Sequence, residues 1–113
     1  MTAASPTQVA LSLADLSRQL DALRVALRDA DDKAVRSRHR YEVAYAKAFL
    51  SAEASNAESR KQIAVLATEV AKLDAELADA VVRDLKRGID VLRERIHVGQ
   101  SYGAAVRSEW GAS

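Results

Sequence analysis

The chain has 113 residues, enough for one domain, and Ala, Glu, Lys, Leu and Arg supply about half of them, the usage of long helices and coiled coils. Seventeen Lys and Arg stand against sixteen Asp and Glu, so the whole molecule carries no field that steers it onto nucleic acid or an anionic membrane. The absence of Cys excludes disulfides, thiolate catalysis and Cys-ligated metal centres.

The longest run without a charge, residues 1–14, contains Ser, Thr and Gln and is too short and too polar to span a membrane. The opening six residues lack the basic stretch and apolar core of a secretory leader, so the expected location is the cytoplasm. Ser5, Pro6 and Gln8 then form a helix-start signal: a capping hydroxyl, a proline suited to the first turn and a side-chain amide that reaches back. Residues 7–87 contain neither Gly nor Pro, which argues against strand-rich or doubly wound folds. Val9, Leu13, Leu16, Leu20, Leu23, Leu27, Ala30 and Ala34 repeat at alternating steps of four and three, a heptad seam. Ser37, Tyr41, Ala44, Ala48 and Ser51 continue it with smaller side chains. The first helix is expected over about residues 6–53.

A second capping box is read at Ser55 and Glu58, after a turn at about residues 54–56. The second helix is expected over about residues 56–98. Its seam is read as Ile63, Leu66, Val70, Leu73 and Leu77, then Val81, Leu85, Ile89, Leu92 and Ile96. The three successive steps of four from Leu77 to Ile89 make a stutter, which unwinds a supercoil locally. Gly88, inside this stretch, suggests a close helix–helix contact, and Arg93, Arg95, His97 and Gly99 suggest a helix end. Residues 101–110 form a C-terminal extension that either makes a short helix or prolongs the second one.

These elements define an all-α single domain over residues 1–113: an antiparallel two-helix hairpin, a coiled coil. Val25, Val35, Val43, Phe49, Leu50, Val65, Val82 and Val91 fall off the seams, so the hairpin is expected to dimerise into a four-helix bundle. Leu16, Leu20, Leu85 and Leu92 are the expected self-association core.

Chemistry is sparse. His39 and His97 lie far apart, and Glu94 with His97 lacks the neighbouring carboxylates of a di-iron bundle. None of the four glycines matches a phosphate-binding spacing. No catalytic residue, metal site or cofactor is expected, and the protein is read as a non-enzyme. Lys33, Arg36, Arg40 and Lys47 share a helix face spanning roughly 21 Å, long enough to follow phosphates, with Tyr41 and Tyr45 beside it as stacking surfaces. An ordinary solvated face is the plainer reading, because Asp29 and Asp32 stand four residues before Lys33 and Arg36. Arg38 is expected to turn toward Glu42. Asp29, Asp31, Asp32, Asp74, Glu76 and Asp79 form an acidic waist that imitates DNA only imperfectly. Tyr102, Val106 and Trp110 form a small apolar stripe that either folds back on the bundle or docks a partner.

The segment Tyr41 to Phe49, followed by Ser55 to Lys61, resembles a group of small helical proteins of actinobacterial siphophages. The resemblance covers about residues 40–110, including Arg95, Ile96 and the stretch from Tyr102 to Glu109. It implies a cytoplasmic protein made during infection, in some phages encoded near single-strand annealing or recombination genes, and it brings no catalytic residues. The leading function is then a phage-encoded interaction module that binds a host or phage protein. The alternatives are an accessory nucleic-acid binder in recombination, a coiled-coil spacer and an acidic DNA mimic.

Overall fold

The computed structural model describes residues 4–111. Three helices make up nearly all of this span: α1 (Pro6–Ser51), α2 (Ala57–Ala67) and α3 (Glu69–Gly111), with no strand among the described residues. α1 begins in the expected capping box. The Ser5 amide donates to Gln8 Oε1 at 2.9 Å, and the Gln8 amide donates to Ser5 Oγ at 3.1 Å. At its other end the Ser51 hydroxyl donates to the Lys47 carbonyl at 2.8 Å, and the connection that follows is clasped by Arg60 Nε donating to the Ala54 carbonyl at 3.3 Å.

The cap of α2 lies one residue later than the sequence suggests. Asn56 has extended backbone angles (φ −141°, ψ 163°) and its Oδ1 accepts the Ser59 amide at 2.8 Å, which leaves Ser55 outside the helix. The expected continuous second helix is also interrupted, at Thr68. There the hydroxyl donates to the Ala64 carbonyl at 2.7 Å, while the backbone amide is shared between the carbonyls of Ala64 and Val65 at 3.1 and 3.3 Å. A hydroxyl that bonds the carbonyl four residues back competes with the backbone amide for it and bends the helix there. The ladder resumes with the Lys72 amide donating to the Thr68 carbonyl at 2.9 Å.

Contacts divide the chain into two units. In the first, which joins the residues up to Leu27 with those from Leu85 onward, α1 and α3 pack around Leu20, Ile89 and Leu92, with Leu16, Leu23, Leu27 and Ile96 against them. Val9 and Val106 are buried as well. Glycine permits the close approach here: a Cβ on Gly99 would stand 2.7 Å from Leu13 Cδ2, one on Gly103 3.0 Å from Val9 Cγ1, and one on Gly88 3.2 Å from Leu23 Cδ1. This explains why α3 does not stop near residue 98. No described glycine adopts a positive φ, so Gly99 is a packing residue in a helix that runs to Gly111, not a terminator. The extension therefore neither folds back nor presents one apolar stripe. Val106 is buried in the unit, while Tyr102 and Trp110 remain exposed.

In the second unit, residues 28–84, the buried positions are small. α1 contributes Ala34 and Ser37; α2, Thr68 and α3 contribute Ala64, Thr68, Ala75, Ala78 and Val82. With the partly buried Ala71 and Leu85, these continue through Ile89, Leu92, Ile96, Gly99, Gly103 and Val106 at unbroken steps of four and three. The expected register in this half is thus corrected. Ala64 is fully buried, whereas Leu66, Val70, Leu73, Leu77 and Val81 lie outward, and the stutter disappears. Alanines occupy the seam because they let helix backbones approach closely, and the larger residues cannot be accommodated at that spacing.

Candidate functional site

Leu66, Val70, Leu73, Leu77 and Val81 form a continuous apolar row along the Thr68 junction and the first part of α3. Their exposures are 72, 72, 53, 57 and 51 %, respectively. Residues spaced by three and four lie one above another on a helix, so the five make one strip and not five scattered contacts. Contiguous exposed apolar patches larger than a few hundred Å² mark interaction surfaces. Exposed Ile63 and Val65 prolong it onto α2.

Beside the row runs a groove between α1 and α3. One stretch, of about 390 Å³, is lined by Ala30, Lys33, Ser37 and Arg40 from α1 and by Asp74, Leu77, Ala78 and Val81 from α3. The adjoining stretch shares Ser37, Arg40 and Asp74 and adds Ala44, Ala67, Val70 and Ala71. Its floor is made of small residues, one wall belongs to the apolar row, and the other carries Lys33 and Arg40, with Lys47 just beyond beside His39 and Val43.

Two of the four stripe cations therefore stand on one wall with a third just beyond it, and all four are exposed. Arg36 is held by Asp32, its Nε 2.9 Å from Oδ2. Arg40 Nη2 donates to Ser37 Oγ at 3.2 Å. Arg38 does not turn to Glu42: it crosses to α3 and pairs with Asp79 at 2.8 Å, which draws Asp79 out of the expected acidic waist. At half exposure such a pair contributes about 0.2–1 kcal/mol, and its larger effect is to fix which faces meet. Among the described residues, Lys33, Arg40, Lys47, Glu69, Asp74 and Glu76 have no ion-pair partner. Tyr41 and Tyr45 are half-buried and meet edge to face at 6.3 Å, so part of each ring surface is already occupied.

The expected self-association core lies within the chain's own packing. Leu20 and Leu92 are buried, Leu16 packs against them and Leu85 is half-buried in the same seam. His39 and His97 are both exposed, and no cluster of three or more His, Asp or Glu capable of holding a metal occurs among the described residues. No described helix is long and apolar enough to cross a membrane.

The row itself was hidden in the sequence by a preference for bulk over period. Its leucines and valines compete for the seam, although the four-and-three rhythm from residue 64 to residue 106 never breaks, running through small residues as far as Ala78 and through Val82, Leu85, Ile89, Leu92 and Ile96 beyond. Comparison with protein-family models, with curated proteins and with solved structures finds no match.

Proposed function

We propose that the protein is an antiparallel helical hairpin that acts without catalysis, as an interaction module whose exposed apolar face binds protein. The observation that carries this reading is the row Leu66, Val70, Leu73, Leu77 and Val81, which has no cover within its unit. The order of contacts supports the hairpin: Leu23, Leu13 and Val9 descend along α1 as Gly88, Gly99 and Gly103 ascend along α3. Self-association into a four-helix bundle is the simplest way to cover such a face, and the resemblance to phage proteins makes a host or phage protein the further partner.

A second reading, nucleic-acid binding, draws on Lys33, Arg40 and Lys47, which follow one another along α1 and have no ion-pair partner among the described residues. Salt separates the two. Apolar protein docking responds weakly to ionic strength, whereas three cations on single-stranded nucleic acid give a log–log slope of about −2. Titration of a fluorescent oligonucleotide at several salt concentrations is the test: steep, salt-sensitive binding removes the first reading in favour of the second.

A further inference from the structure

The groove beside the row is matched by the row's own borders. The apolar strip on α3 is edged by Glu69 and Glu76, with Lys72 between them, on one side and by Asp74 on the other, while the opposite wall of the groove carries Lys33 and Arg40, with Lys47 just beyond. None of these seven charges has an ion-pair partner among the described residues. We propose that a second copy of this chain occupies the groove, its α3 row seated on the small-residue floor and its Glu69 and Glu76 edge against the basic wall of α1. This rests on the reading that the chain binds protein and names the partner and the surface.

Two arguments favour a second copy over an unrelated helix. The occupant must present an apolar strip whose borders are acidic on balance, and α3 presents one, with Glu69, Asp74 and Glu76 against Lys72. Simple pairing of α3 with its twin, row on row, would bring Glu69, Asp74 and Glu76 against their own counterparts, and like charges at the edges of a helix pair are destabilising. Seating each row beside the partner's α1 replaces those repulsions with attractions. Because each copy offers both the row and the groove, a two-fold arrangement uses each surface twice and closes on itself. The interface so defined uses residues of the second unit alone and none of Leu16, Leu20 and Leu92, which pack in the α1–α3 core of the first.

Sedimentation equilibrium of the full chain, from micromolar to millimolar concentration, tests the proposal with two sets of variants. Leu73→Gln with Leu77→Gln changes residues that are more than half exposed, so helicity by circular dichroism is expected to persist while dimer affinity falls by about a hundredfold. Arg40→Glu with Lys47→Glu, and separately Glu69→Lys with Glu76→Lys, are each expected to weaken the homodimer. An equimolar mixture of these two variants is expected to recover association as a heterodimer. A wild-type dimer that the glutamine variant leaves intact overturns the proposed surface but not the binding reading. A dimer broken by the glutamine variant, with no recovery in the charge-reversed mixture, overturns the seating against α1. A wild-type monomer throughout overturns self-association and leaves the row to another protein. Salt-sensitive oligonucleotide binding by that monomer, lost in the Arg40→Glu, Lys47→Glu variant, overturns both readings in favour of nucleic acid.

Discussion

At the start of α2 a single side chain satisfies a backbone donor that the helix leaves orphaned. Asn56 Oδ1 accepts the Ser59 amide, and Ser55 makes no such bond to the helix. Asn56→Ala is therefore expected to lower stability by about 1 kcal/mol, while Ser55→Ala changes it little; urea unfolding of the two variants checks the assignment. The glycines of α3 make a second contrast. Alanine at position 88 gains up to about 1 kcal/mol of helix propensity and displaces only the mobile tip of Leu23. Alanine at position 103 would press on Val9, whose branched side chain has essentially one rotamer in a helix. Thermal unfolding is expected to show Gly88→Ala above the parent and Gly103→Ala at or below it.

Along the elements, neighbouring residues of α3 divide sharply in what they do. Ala78 is buried in the seam with α1, while Leu77, one position earlier, is 57 % exposed. Enlarging the smaller residue is expected to do more harm than truncating the larger. Ala78→Leu overpacks the seam at a cost of about 1–3 kcal/mol, whereas Leu77→Ala leaves the dissociated chain within about 0.5 kcal/mol of the parent. Chemical denaturation at high dilution measures both. The same pair shows where the sequence is readable. The seam of α1 follows its apolar period from Val9 to Ala48 because Leu and Ala there share one phase. In α3 two phases compete, one rich in Leu and Val and one in Ala. Hydrophobic content favours the first, while the geometry of closely packed backbones selects the second. Thr68 was equally hard to foresee, since its break depends on a buried hydroxyl and not on a Gly or Pro. The groove was legible only in fragments: Lys33, Arg40 and Lys47 could be aligned by helical spacing, but their neighbours Asp74 and Leu77 belong to another helix, whose facing residues depend on the corrected register.

For the molecule as a whole, the two units bury different materials. The first closes around Leu20, Ile89 and Leu92, and the second around Ala34, Ala64, Ala75 and Ala78, with Ser37 and Thr68 among them. Alanine removes far less apolar area from water than leucine, so the second unit holds its helices together with a smaller driving force. Opening free energy is accordingly expected to be uneven along the chain. In hydrogen–deuterium exchange, amides of residues 64–82 should exchange through cheaper, more frequent openings than those of residues 85–106, and uniform protection across both stretches would refute this. The alanine seam thus has a kinetic meaning: the part of the chain that presents the apolar row is also the part most ready to breathe, and a partner that covers the row would slow its exchange without touching the leucine-packed unit.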